Sequence, residues 1–302
     1  ASGRSCMGLS LQSGVWWGSL GLLALLALLG TGTAHAGDRL LGTWGVQQVE
    51  GAGGGGLTPW ATITGSGSSD QVGTTAFVTQ ASTQDGYRLR VAGVAVGIHN
   101  RVELSMARWS FKLSEDVMPD KSLEMSALGI KVRVLGDAVY DQQHWWPQVS
   151  VGAQHKVASD RTLLAALAVP ASEDVDLYVS ATKVWLGAAA GHNVLGNATV
   201  RYTRANQFGL LGFGGQGQSG KRLQLEGSLA IMLRDDLVLG GEVRTKPDNL
   251  GIPGFEEETA WDAFVAWFPS RHLSLTGAWL NLGNIATKQG QRGFYLSAQG
   301  AF

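Results

Sequence analysis

Residues 293–302 read GFYLSAQGAF, and the two parities of this stretch decide the fold class. Phe294, Leu296, Ala298, Gly300 and Phe302 fall on one parity; Tyr295, Ser297 and Gln299 fall on the other. Successive strand side chains point to opposite faces, so the pattern predicts a strand with one apolar and one wetter face, ending on an aromatic residue. A final strand of this kind is what bacterial outer-membrane barrels close against their first strand. Phe294, Leu296 and Phe302 are then candidates for the signal that outer-membrane assembly machinery reads. A soluble β-domain ending in Phe carries the same letters, because a single barrel segment is a weak signal.

Working back from that strand, the same alternation repeats. Val102, Leu104 and Met106 stand opposite Glu103, Ser105 and Ala107; Leu128, Ile130, Val132 and Val134 alternate with Lys131 and Arg133. Val149, Val151 and Ala153 alternate with Gln148, Ser150, Gln154 and Lys156. Leu223, Leu225, Leu229 and Ile231 alternate with Gln224, Glu226 and Ser228, and Leu237, Leu239 and Val243 with Glu242 and Arg244. A soluble sandwich would alternate in the same way. Three features favour a membrane barrel: segments of about ten residues, missing helices, and aromatics near segment ends. Trp109, Trp145, Trp146, Trp185, Trp261 and Trp267 are the candidates for an interfacial girdle.

Composition agrees with a β-rich chain. Of 302 residues 43 are Gly and only 16% are charged, and the glycines follow no collagen period. A net charge of −1, with no Lys/Arg cluster, excludes a strongly basic nucleic-acid binder. After residue 36 no stretch is apolar for long enough to form a membrane helix, so entry into a membrane would have to be by strands.

Residues 1–36 read as a cleaved signal peptide. Val15 to Leu29 is an apolar core, and Ala34-His35-Ala36 is a small-x-small site, leaving Gly37 as the mature start. Arg4 is the only positive side chain ahead of the core, and Met7 is a possible true start. The single cysteine, Cys6, lies in this leader, so the mature chain has neither disulfide nor cysteine metal site.

Residues 37–57 are a Gly-rich segment, expected as a first strand or a lumen plug, with residues 58–302 as the barrel. Gly53 to Gly56 would let backbone N–H groups crowd an anion, but no Lys-Ser/Thr follows, so no phosphate loop or other cofactor site is expected. His272 and Ser274 share the parity opposite Leu273 and Leu275 and would both enter the lumen, where outer-membrane lipases carry a His and a Ser. They sit beside a short turn, far from the outer rim, so a polar wall is the preferred reading. The histidines at 35, 99, 144, 155, 192 and 272 have no ligand spacing. Asp160, Glu173, Asp174 and Asp176 bracket one loop without an alternating calcium-loop run, so no metal is expected.

Connections read backwards from the last strand alternate long and short, as in barrels with short periplasmic turns. The exception is Gly136 to Trp145, which should be short and is not. About thirteen strand-like segments run from Pro59 onward, and a barrel with both ends periplasmic needs an even number. Either Thr43 to Glu50 supplies another, giving about fourteen, or the first segment is outside the wall and there are twelve. Lys131, Arg133, Lys156, Arg201, Glu226, Glu242, Arg244 and Asp262 are the candidates for the lumen lining, either knitting a filled barrel or tuning a narrow pore.

The blocks GDRLLGTWGVQQVEGAGGGGLTPWA, KVRVLGDAVYDQ, ANQFGLLGFGG, KPDNL, AWFPSRHLSLTGAWLNLGNIA and QRGFYLSAQGAF resemble those of the bacterial domain of unknown function 3034 family. The resemblance spans essentially the whole mature chain. It implies an outer-membrane barrel of Gram-negative bacteria and brings no substrate or catalytic residue. The expectation is an antiparallel up-and-down barrel in contact with outer-membrane lipids, passing or binding a small solute without catalysis. A structural or assembly-associated barrel with a plugged lumen is the alternative, and an outer-membrane hydrolase the third.

Overall fold

A computed structural model describes residues 39–302; residues 1–36, expected from the sequence to be a signal peptide and including Cys6, Met7 and His35, lie outside the described residues. Strands β1 (Val46–Gln47) and β2 (Gly53–Gly54) form a short ladder of their own. The wall follows: β3 (Val72–Thr83), β4 (Arg88–Ile98), β5 (Val102–Lys112), β6 (Ser122–Leu135), β7 (Gln148–Ala158) and β8 (Glu173–Ala189). It continues with β9 (His192–Thr203), β10 (Arg222–Arg234), β11 (Leu237–Arg244), β12 (Ala260–Ser270), β13 (Leu273–Asn281) and β14 (Arg292–Ala301). Helix α1 (Arg161–Ala166) lies in the connection after β7, its first turn capped by the Asp160 carboxylate, which accepts from Leu163 N at 3.0 Å.

Each wall strand pairs antiparallel with the next, and β14 pairs with β3, Tyr295 opposite Ala81 and Ala301 opposite Thr75. The sheet therefore closes and has no edge. Phe302 and Thr74 exchange both backbone hydrogen bonds, at 2.7 and 2.8 Å, so the terminal aromatic residue is part of the seam.

The wall has twelve strands, the lower of the two expected counts, not about fourteen. The apolar pattern at residues 43–50 and after Pro59 has a different cause. Every residue from Gly42 to Gly67 is buried, and this inner segment lies within the barrel, where its apolar side chains pack on the lumen wall.

Polarity is inverted relative to a water-soluble domain. Outward-facing Leu223, Leu225, Leu229, Phe294 and Leu296 are 63% to 69% exposed, whereas Thr75, Lys131, Ser150, Lys156, Arg201 and Glu226 are buried inside. An apolar surface running round the whole barrel far exceeds the patches that soluble monomers tolerate, and it is the surface a bilayer wets. A one-residue slip would exchange the two faces, so this partition also fixes the register.

At the end where β3 begins, His99 and Asn100 join β4 to β5 with φ of 51° and 46°, the left-handed pair that a two-residue hairpin needs. The opposite end carries longer connections, residues 159–172, 204–221, 245–259 and 282–291. The connection at 136–147 belongs to the short-turn end yet is long because it caps the inner segment. Ala138 and Val139 are buried there, and Leu40 N donates to Tyr140 Oη at 3.3 Å. Lys183 Nζ holds the cap through the carbonyls of Asp141 and His144, the latter at 3.1 Å.

Candidate functional site

The site is the contact between the inner segment and the lumen wall. The run Gly53 to Gly56 brings main chain onto two wall carboxylates. Glu103 accepts from Gly53 N and Thr64 N, both at 2.8 Å. Glu242 accepts from Leu57 N at 2.7 Å and from Thr58 Oγ1 at 2.6 Å. A Cβ on Gly55 would lie 2.0 Å from Glu242 Oε1, so only glycine admits this approach. The anion these glycines attend is the barrel's own.

Other backbone groups of the segment are satisfied from several directions. Lys131 pairs with Glu103 at 3.0 Å and donates to the carbonyls of Gly53 and Trp60 at 2.8 and 3.1 Å. The Pro59 carbonyl accepts from Ser180 and Thr199 at 3.2 and 2.9 Å. Ala61 donates to Thr182 Oγ1 at 2.7 Å and its carbonyl accepts from Gln148 at 2.6 Å. Leaving such groups buried and unpaired would cost about 1–3 kcal/mol each, so they act as a set of positional locks.

Glu50 is the electrostatic centre. Fully buried, it accepts from Arg244 Nη1 and Nη2 at 2.9 Å each, pairs with Lys156, and lies 3.6 Å from Arg201. Lys156 also meets Asp176 at 2.6 Å, while Arg201 pairs with Glu226, which Arg244 approaches at 3.4 Å. Three carboxylates thus face three cations, and neutrality requires the one acid that the inner segment supplies. Burial alone would raise the Glu50 carboxyl, but Arg244, Lys156 and Arg201 outweigh it and hold the group well below the usual carboxylate range.

Seven of the eight residues expected to line the lumen are buried on the inner face; Arg133 is half-buried and pairs with Asp137 at 3.0 Å. Glu242 and Asp262 are cross-strand neighbours, two buried carboxyl groups side by side. Glu50, Glu103 and Asp176 join the site although none was expected there. Glu103 could have been found from its parity with Ser105 and Ala107, and Asp176 was read as a loop acid although it is on β8 and fully buried.

Trp109 departs from the girdle expectation. It is 2% exposed, faces the lumen, and its indole N–H donates to the Val49 carbonyl at 2.6 Å, the partner a buried indole requires. Trp185, Trp261 and Trp267 are 38% to 44% exposed on the outer face. Trp145 and Trp146 sit in the 136–147 cap, off the wall, with Trp146 stacked on His144 at 3.8 Å. Phe294, Leu296 and Phe302 are exposed outward at the seam.

His272 and Ser274 do not share the lumen. His272 is exposed in the turn, its Nδ1 2.8 Å from the Ala301 carbonyl, whereas Ser274 is buried. The four acids near the β7–β8 connection are also dispersed: Asp160 on Lys121, Glu173 near His155, Asp174 on Arg204 and Lys221, and Asp176 on Lys156. Among the described residues no group of three or more His, Cys, Asp or Glu is placed to hold a metal ion.

At the long-loop end, residues 204–221 fold into the barrel mouth. Phe208, at φ 62°, lays its ring under the Arg244 guanidinium at 4.6 Å, and its carbonyl accepts from Lys156 at 3.3 Å. Gln207 donates from N and Nε2 to Glu257 at 2.6 and 2.8 Å, and Lys246 pairs with the same carboxylate at 2.8 Å. The loop is thereby tied to the connection at 245–259.

The model of a protein family described as "Protein of unknown function (DUF3034)" matches residues 43–299, from the inner segment to the seam. The chain belongs to this family. The DUF3034 match therefore covers plug-side and wall residues alike. No curated protein matches the sequence significantly. Among solved structures, the chain is similar to the NanC porin, with 8% identity, 74% of this chain and 98% of that one covered, and a TM-score of 0.50. It is also similar to the KdgM porin (9% identity, 76% and 99% covered, TM-score 0.47). The outer membrane protein Omp33 of Acinetobacter baumannii matches at 6% identity, with 78% and 100% covered and a TM-score of 0.44. At these identities the likeness is one of fold. The closed barrel with its apolar outer face is that of a bacterial outer-membrane protein.

Proposed function

We propose that this DUF3034 protein is an outer-membrane barrel for a small solute, held shut at rest by its own inner segment, and that it catalyses no reaction. The observation that carries the reading is the continuous burial of Gly42 to Gly67 on a wall whose inward groups bond them. An open pore would leave inward charges to water, whereas here Glu50 completes the cluster of Lys156, Arg201 and Arg244. Passage of a solute then requires that the inner segment be displaced. Planar-bilayer recording tests this: the mature protein stays essentially closed at neutral pH, and Glu50→Ala raises its open probability. Steady conduction by the unaltered protein, or silence of both, contradicts gating by this segment.

A permanently plugged structural barrel is the second reading, favoured by the density of hydrogen bonds on the segment; silence of Glu50→Ala and Arg244→Ala alike would assign it. A hydrolase is disfavoured because the His272 ring engages the Ala301 carbonyl and Ser274 lies apart in the lumen. Unchanged ester hydrolysis in Ser274→Ala is the expected result. The outward residues Phe294, Leu296 and Phe302, on the strand that closes the barrel, are proposed as the signal read by the outer-membrane assembly machinery.

A further inference from the structure

Between the inner segment and the long-loop end, the barrel holds a cavity through which the centre of a water-sized sphere can range over about 60 Å3. Its floor is Val49 and Leu57 of the inner segment. Its walls include Leu89, Trp109, Phe111 and the ring of Tyr295, contributed by β4, β5 and β14. Its roof is Phe208, Leu210 and Leu211 from one long connection and Leu282 and Ile285 from another. The lining is almost wholly carbon. The Nε2 donor of Gln207, the one side-chain amide there, is already committed to Glu257 and to the Asn284 carbonyl at 2.8 Å each.

We infer that this cavity is a binding site for a small, uncharged, apolar molecule of hydrocarbon character, of the size of a single aromatic ring. Several contributions converge on that class. The cavity is large enough for several waters, yet its exposed lining is almost wholly carbon, and Tyr295 Oη, a buried hydroxyl without a hydrogen-bond partner, lies beside Gly56 of the inner segment; an apolar void of this kind stays dry and takes up apolar guests. A charged or sugar-like guest would lose its hydration and find at most the Tyr295 hydroxyl in return. The way in lies at the long-loop end. Ala286, in the 282–291 connection, is the one lining residue that is only half-buried, whereas Val49 and Leu57 close the opposite side. Solute contacts are expected from the sequence among the lumen charges; this site is made instead from apolar residues. Binding here goes beyond the gating reading and does not depend on whether the inner segment ever leaves.

The test is methyl NMR of the full mature chain in detergent micelles, titrated with benzene. The methyl resonances of Val49 and Leu57 shift along a saturating curve. Those of the outward Leu223 and Leu229 shift only in proportion to benzene entering the micelle, which serves as the internal reference. Ala81→Phe, which places a ring in the cavity from β3, abolishes the saturable shift; Leu123→Phe fills it from β6 where the first variant fails to fold. Benzoate, the same ring with a charge, gives no saturable response. Non-saturating shifts at Val49 and Leu57, persistence of saturation in the filled variant, or saturation by benzoate would each overturn the assignment. Saturation by benzene in a barrel that never conducts leaves this site standing while removing the gate.

Discussion

At the scale of single residues, Glu50 carries the largest expected effect. Removing one partner from a buried ion cluster typically costs about 3–5 kcal/mol because the remaining charges keep their desolvation penalty. Glu50→Ala leaves three cations facing two acids, so we expect a loss of that order in urea unfolding from lipid vesicles; a change below about 1 kcal/mol would show the cluster is not the anchor. The pH dependence follows from the direction of the shift. Glu50 is held well below its ordinary value of 4.5, and a carboxylate depressed on folding stabilises the folded state above its unfolded pKa. That contribution is lost as pH falls through the folded pKa. Closure should therefore persist from neutral pH down through about 4.5 and fail only in stronger acid. Glu50→Gln should abolish the part of the acid response due to this group, read as open probability against pH. Much of this chemistry was legible as parity: Lys131, Lys156, Arg201 and Arg244 were all placed inward from alternation alone. Glu50 was not, because its charged partners stand more than a hundred residues away and no local spacing marks them. Trp109 carries two conflicting signals, since its parity matches inward-facing Glu103 while an aromatic near a strand end also marks a membrane girdle, and the packing of the inner segment decides for the lumen.

At the scale of elements, two substitutions separate the wall from what it encloses. Gly97 on β4 faces inward, and a Cβ there would lie 2.3 Å from the Thr64 carbonyl. Gly97→Val should overpack this contact by about 1–3 kcal/mol, loosening the inner segment while leaving the wall paired. Limited proteolysis reads this as cleavage between residues 42 and 67 with an intact barrel; equal resistance of variant and parent would deny the contact. Leu229, near the middle of β10 and 64% exposed, reports the opposite face. Leu229→Arg should cost about 2–4 kcal/mol in lipid if that face meets acyl chains. An unchanged unfolding free energy would place the face elsewhere. Strands and their faces were readable because period-two alternation is enforced on both sides, by lipid outside and packed polar groups within. The count of about fourteen failed where that constraint changes. Residues 43–50 and the stretch after Pro59 alternate against the lumen wall, and alternation alone does not say which surface a strand-like segment meets.

For the molecule as a whole, the lumen explains what composition leaves open. A barrel of this size without a filling would enclose its inward charges in water; the inner segment converts them into hydrogen bonds and ion pairs and leaves an apolar cavity beneath the long loops. Closed wall, filled lumen and apolar exterior make one account, and its centre is that the inner segment docks within the wall. Hydrogen exchange of residues 37–302 in lipid bilayers tests this most directly. The amides of Gln47, Gly53, Leu57, Ala61 and Thr64, each bonded to a wall side chain, should exchange as slowly as those of β3 to β14, and Glu50→Ala should release them. Rapid exchange at these five amides in the unaltered protein, beside a protected wall, would contradict the account.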